Sequence, residues 1–228
     1  MHNWEIASDA EKNMKDIQLI AQDIGIQKDE IITMGNNVAK IVASKVLERC
    51  KNRPQGKLIV VTAITPTPLG EGKTTATIGL IQALGQLNKK VTGAIRQPSS
   101  GPTFNIKGSA AGGGKSQCIP LSPFSIRLTG DIDSVTNAHN LGMVALTARM
   151  QHEYNYNAER LKKIGMSRLN IDPKKVYWKW AMDFCAQALR NITIGRGGKM
   201  DGRAMRSGFQ ISVSSEIMAI LSSSSIIV

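Results

Sequence analysis

KLIVVTAITPTPLGEGKTT, running from Lys57 to Thr75, reads as a β-branched run, a Pro/Gly-rich loop, and then Gly72-Lys73-Thr74 opening a helical pattern. Strand, loop and helix N-terminus in that order is the setting of a phosphate-binding loop. Loop N–H groups and the unpaired N–H groups of the first helical turn converge there on one anion. In that setting Thr67, Pro68, Leu69, Gly70, Glu71, Gly72, Lys73 and Thr74 surround the phosphates of a nucleoside triphosphate. Lys73 reaches the β- and γ-phosphates, and the Thr74 hydroxyl holds Mg2+. The match to G-x-x-x-x-G-K-[ST] is incomplete, because Thr67 stands where the first glycine belongs. Gly-Lys-Thr by itself is no more than a helix start after a turn. The flanking strand and helix patterns are what turn it into a candidate site.

Downstream, Thr74 to Leu87 carries Ile78, Ile81 and Leu84 on one helical face, and Asn88-Lys89-Lys90 turns the chain into a second strand, Val91 to Ile95. Strand, helix and strand of this length make a βαβ unit with a right-handed crossover and parallel strands. Ligands in open α/β sheets bind outside the carboxyl ends of the strands, so Arg96 is expected on the same edge as the Lys73 loop. Its guanidinium can fork two N–H bonds onto a carboxylate or phosphate; the plainer reading is a surface arginine beside a turn. Lys107 to Ser116 is glycine-rich, either a linker or a loop of bare backbone that lets an anion come close. Phe124 to Thr129 reads as a strand ending at Gly130-Asp131. Asp131 is a candidate Mg2+ ligand, or a residue orienting one, and equally the first residue of the following helix.

That helix is expected from Ile132 to about Met150, with His139 inside it as a packing residue rather than a base. Upstream, Ser8 opens a capping-box pattern with Glu11 three residues on and begins a helix that carries Ile17, Ile20, Ala21 and Ile24 on one face and ends at Gly25, and a second helix spans Asn37 to Cys50. Later strands are expected at Asn191 to Ile194 and Phe209 to Val213, then a helix from Ser214 to about Leu221.

The 228 residues suffice to bury about 70% of the unfolded surface without staples. Cys50, Cys118 and Cys185 are odd in number, widely spaced and form no C-x-x-C, which fits a reducing compartment and excludes a disulfide framework. Neither a secretory h-region nor a run of about 18 apolar residues occurs, so the expectation is a cytoplasmic protein without a membrane span. Of the net charge of +12, residues 160–206 supply most, with 12 Lys and Arg against 3 Asp and Glu. Such a segment attracts nucleic acid, an acidic partner or a small polyanion, or is simply a solvated face. The chain divides by composition into a helical segment over 1–56, a nucleotide-binding core over 57–159 and a basic segment over 160–228 that continues the α/β domain.

Several of these stretches together resemble formate–tetrahydrofolate ligase (10-formyltetrahydrofolate synthetase). They are Thr65 to Thr75, Arg96 to Phe104, Ile106 to Gly114, Leu128 to Asp131, and Val213 to Leu221. They follow the family's order and spread over most of the chain from about residue 30 onward. The resemblance implies an α/β fold, a mostly parallel sheet with flanking helices around a P-loop nucleoside triphosphate hydrolase-like core. It also implies a reaction in which formate attacks the γ-phosphate of MgATP to give formyl phosphate, whose formyl group passes to N10 of tetrahydrofolate. By the same resemblance Arg96 holds the formyl phosphate, ATP and Mg2+ are required, a monovalent cation takes part, and the full-length family forms homo-oligomers.

Departures from the family's pattern are Asn105, Ser109, Lys115 and Ser214. Family members run to more than twice this length, so the chain is expected to be an N-terminal portion with an incomplete folate pocket. Ser222 to Val228 reads as the residue of a frameshift or early stop. The competing readings are a P-loop ATP-binding module or ATPase without formate-dependent turnover and, least favoured, a nucleic-acid-binding protein using residues 160–206.

Overall fold

The computed structural model describes residues 2–65, 67, 70–97, 111–126, 128 and 130–224. Pro68 and Leu69, and the part of the Arg96 motif from residue 98 to 104, lie outside the described residues. The described chain forms two units, one up to Leu128 and one from Gly130 onward.

In the first unit, α1 (Asn3–Glu11) and α2 (Ile17–Asp23) precede a short antiparallel pair, β1 (Ile31–Thr33) with β2 (Ala39–Ile41), and then α3 (Ala43–Cys50). Gly25 follows α2 at φ +82°, as its sequence position predicts, but the single helix expected from Ser8 is two: Ser8 lies inside α1, which His2 begins, and α2 starts afresh at Asp16, whose carboxylate accepts the Gln18 N–H at 2.7 Å. The helix expected over Asn37–Cys50 begins only at Ala43. Val38, Ile41 and Val42 fit a helical face and an extended strand equally, and pairing with β1 decides for the strand. Glu30, 2% exposed, ties this subdomain together. It accepts two N–H groups from Arg49, one of them at 2.7 Å, and the Gln27 N–H at 2.9 Å. The Arg49 guanidinium holds the Glu30 carboxyl down at about 2. The stabilisation from this pairing is therefore present above the ordinary 4.5 and lost as pH falls toward about 2.

Next comes α4 (Lys73–Gln86) with Ile78, Ile81 and Leu84 half-buried, the face its periodicity predicts. A Cβ on Gly93 would lie 2.1 Å from Ile81 Cδ1, so the 91–97 stretch runs close against α4 because residue 93 has no side chain. A two-residue hairpin, β3 (Gly112–Gly113) with β4 (Ser116–Gln117), packs on the same helix. Gln82 Nε2 donates to Lys115 O at 2.8 Å, and Asn3 accepts the Gly114 N–H at 2.9 Å. Gly112 to Gln117 is thus a built turn, not a linker. α5 (Leu121–Ile126) closes the unit, where the sequence led to a strand over Phe124–Thr129. A short apolar run has no period by which to choose.

Neither 58–62 nor 91–95 enters a ladder among the described residues. Leu58, Ile59 and Val60 have no assigned secondary structure and are exposed, at 88%, 59% and 73%. A run apolar on both faces suits a sheet covered on both sides, and no described strand pairs with this one.

The second unit is organised on α6 (Asp131–Asn155), which continues beyond the expected Met150. α7 (Ala158–Lys163) follows, capped by Asn157, then β5 (Trp180–Ala181), β6 (Ile192–Ile194), β7 (Met205–Ser207), β8 (Phe209–Gln210) and α8 (Glu216–Ser223). β6 and β7 are antiparallel; β5 and β8 are parallel. Ile132 and Val135 of α6 bury against Met218 of α8, with Val213 and Ile217 packed alongside. Asn140 on α6 completes the edge of β5 by exchanging two hydrogen bonds with the Ala181 backbone, both 2.9 Å.

Basic residues of the 160–206 segment are partly absorbed by the fold. Arg168 donates to Glu153 O and Tyr156 O, Lys179 to Arg190 O, and Arg203 lies over the Tyr154 ring at 5.3 Å.

Candidate active site

The loop before α4 takes its shape from two glycines. Gly70 and Gly72 have φ +88° and +74°, in the left-handed region that residues with a Cβ disfavour. Gly70 N–H turns back to Thr67 O at 3.1 Å, and Ala76 N–H donates to Gly72 O at 2.9 Å, which starts the helix. Gly72 is the N-cap and supplies no side-chain acceptor, so among the described residues no side chain caps the first turn of α4. Lys73 is the first helical residue and 44% exposed, and Thr74 follows it half-buried. The N–H groups of this turn, the positive end of a 14-residue helix and an ammonium group therefore share one place.

Glu71 sits within this cluster. Its carboxylate accepts the Thr67 N–H through one oxygen and the Lys73 ammonium through the other. Lys73, and after it the Thr67 N–H, hold the Glu71 carboxyl down at about 2. The sequence places Glu71 in the loop but does not foresee this pairing. The only signal for it is an acid two residues before a lysine across a flexible glycine.

Of the sequence-nominated residues, the structure brings Thr67, Gly70, Glu71, Gly72, Lys73 and Thr74 together. Arg96 is exposed in the 91–97 stretch, which comes close to α4 at Gly93. The adjacent Gln97 fixes this stretch, its amide donating to Leu128 O at 3.1 Å and accepting from Leu128 N at 3.0 Å. Asp131 is the first residue of α6 in the second unit, where its carboxylate accepts the Ile132 N–H at 2.9 Å.

His139 is fully buried. Its Nε2 lies 2.6 Å from Lys179 O, which can only accept, so Nε2 carries the proton. In the neutral ring Nδ1 accepts from the Ser215 hydroxyl at 2.8 Å, with the Glu216 carboxylate 3.9 Å away, and Ser215 Oγ accepts the Ile217 N–H at 3.1 Å. Both ring nitrogens of His139 are used within the fold, as the packing reading of His139 requires. A cavity of about 590 Å3 in the same unit, lined by Met150, Trp180, Met205 and Phe209 among others, includes none of the nominated residues.

A glycine-shaped loop feeding a glycine-capped helix N-terminus, with a lysine at the first helical position, gathers backbone N–H groups and one positive charge in one place. The sequence profile of formate–tetrahydrofolate ligase matches residues 1–227, and the chain belongs to that family. It is 65% identical over 222 residues to the formate–tetrahydrofolate ligase of Dehalococcoides mccartyi (strain CBDB1), covering 97% of this chain and 37% of that protein. To the enzyme of Thermodesulfovibrio yellowstonii (strain ATCC 51303 / DSM 11347 / YP87) it is 61% identical over 220 residues, 96% of this chain and 37% of the relative. To that of Desulfotalea psychrophila (strain LSv54 / DSM 12343) it is 65% identical over 196 residues, 86% and 35%. The chain thus spans little more than a third of the length of the relatives it matches. No helix among the described residues is long and apolar enough to cross a membrane.

Proposed function

We propose that this chain carries the phosphate- and formate-handling part of an ATP-dependent formate–tetrahydrofolate ligase. The observation that carries the reading is the entry to α4: two left-handed glycines, a glycine-capped first turn, and Lys73 at its first position. A formate oxygen attacks the γ-phosphorus, the bond from that phosphorus to the bridging oxygen breaks, and ADP leaves. The N10 amine of tetrahydrofolate then attacks the formyl carbon of formyl phosphate; inorganic phosphate departs and the amine gives up its proton. Formate and ATP repel each other, so the site must hold several negative charges close together. N–H groups from Gly70 to Thr74 and the Lys73 ammonium do so for the phosphates, and Arg96 for the one-carbon acid.

Mg2+ bound with the nucleotide would be held on this reading by the Thr74 hydroxyl. Among the described residues no group of three or more His, Cys, Asp or Glu forms a metal cage. In the same reading 58–62 and 91–95 are neighbouring strands of a mostly parallel sheet in a P-loop nucleoside triphosphate hydrolase-like core. A cytoplasmic place, a monovalent cation and homo-oligomeric assembly complete the reading by family membership.

Two variants test the division of roles. Arg96→Ala is expected to abolish formate-dependent ADP release while sparing ATP binding, and Lys73→Ala to weaken both. Equal loss of ATP binding and ADP release in the two variants overturns the assignment.

A further inference from the structure

We propose that Glu71 is a built-in occupant of the phosphate loop: without nucleotide, its carboxylate takes the Lys73 ammonium and the Thr67 N–H, and a triphosphate binds by displacing it. The proposal rests on the phosphate-loop reading given above.

The geometry carries it in three steps. Glu71 lies between two left-handed residues, Gly70 and Gly72, and this double reversal brings its side chain back over the loop to a residue four positions earlier. The two carboxylate oxygens are divided, Oε1 on the Thr67 N–H and Oε2 on Lys73 Nζ, so one anion bridges a backbone donor and an ammonium. Those are the two kinds of donor that a phosphate loop offers its ligand. Finally, the Glu71 side chain is only 13% exposed while that of Lys73 is 44% exposed. The carboxylate is folded inward and the ammonium is shared between it and solvent.

The chemistry agrees. The Lys73 ammonium holds the Glu71 carboxyl down at about 2, so Glu71 is ionised at any physiological pH. It is a standing competitor for the anion site and not a pH switch. Nucleotide affinity is then reduced by the fraction of loops closed on Glu71, and the same carboxylate is at hand to retake Lys73 when product phosphates leave. A loop closed on Glu71 in most molecules lowers nucleotide affinity a few-fold.

Calorimetric titration of ATP into the full chain, with Glu71→Gln and Glu71→Asp beside the wild type, tests it. Glutamine removes the charge. Aspartate keeps the charge but is one methylene too short to span both donors. Both variants are expected to bind ATP about threefold to fivefold more tightly than the wild type. Wild-type binding that both variants leave unchanged or weaken overturns the proposal and leaves the phosphate-loop reading standing. Tightening by Glu71→Gln alone reduces Glu71 to general charge repulsion, which also overturns it. Absence of ATP binding in all three proteins removes the phosphate-loop reading itself.

Discussion

Two helices of this molecule begin in opposite ways. α8 starts at Ser215, which is 2% exposed, accepts the Ile217 N–H and donates its own hydroxyl proton to His139. α4 starts at Gly72, which has no side chain to offer, beside an exposed lysine. Both ends face the same problem, a first turn of N–H groups with no helical acceptor. At α8 the fold answers it with its own serine and buries the answer. At α4 the N-cap is a glycine and no described side chain caps the N–H groups, and a carboxylate from the loop takes up the neighbouring donors. A polar group consumed by its own fold contributes stability; one left at an uncapped helix end is available to a ligand. The comparison therefore predicts that changes at the two places separate cleanly into losses of stability and losses of binding.

The largest effect is expected at the buried end. His139→Ala removes a fully buried ring that contacts Trp178 and leaves Lys179 O and the Ser215 hydroxyl without their partner. A loss of about 3 kcal/mol in unfolding free energy is expected, readable by urea denaturation. A loss under about 1 kcal/mol would mean that the pocket refills with water and that the buried network is not what holds α6 to α8. At the open end Lys73→Ala is expected to lower ATP affinity about 10- to 100-fold, as loss of a charged hydrogen-bonding partner does. Stability should stay within about 0.5 kcal/mol, because Lys73 is half in solvent. Calorimetry and a urea curve on the same preparation check both halves. Should Lys73→Ala unfold the chain instead, the contrast between the two helix ends fails.

The sequence makes these two regions legible to different degrees, for a physical reason. The α4 entry is local: Gly70, Glu71, Gly72, Lys73 and Thr74 are consecutive, and their backbone geometry follows from residue type. α6 and the inward face of α4 are legible because many residues repeat the 3.6 period. The His139 partner is 76 residues away, and no pattern along the chain could have named Ser215. Short elements fail in the same way. Phe124 to Ile126 was open to either structure, and the strand reading lost to α5. Val38, Ile41 and Val42 satisfy a helical stripe, yet pairing of 39–41 with 31–33 overrides it, a tertiary contact outweighing a local period. The ladder expected for 58–62 and 91–95 depends on neighbouring strands, which no property of those residues can supply.

The smallest effect sharpens the contrast most, because it rebuilds one helix end in the image of the other. Ser215→Gly gives α8 the same N-cap residue type as α4. Glycine is tolerated as a cap at a cost of a few tenths of a kcal/mol. Ser215, however, also donates to His139 Nδ1, and that acceptor is fully buried. Its loss adds the cost of an unsatisfied polar atom, so about 1 to 2 kcal/mol is expected in a urea curve. Ser215→Ala removes the same hydroxyl with a poorer cap and should cost slightly more. If glycine instead costs only a few tenths, the serine serves the helix alone, and the buried relay to His139 carries no stability of its own. In that case the two helix ends differ only in the residue at their caps, not in whether the fold depends on them.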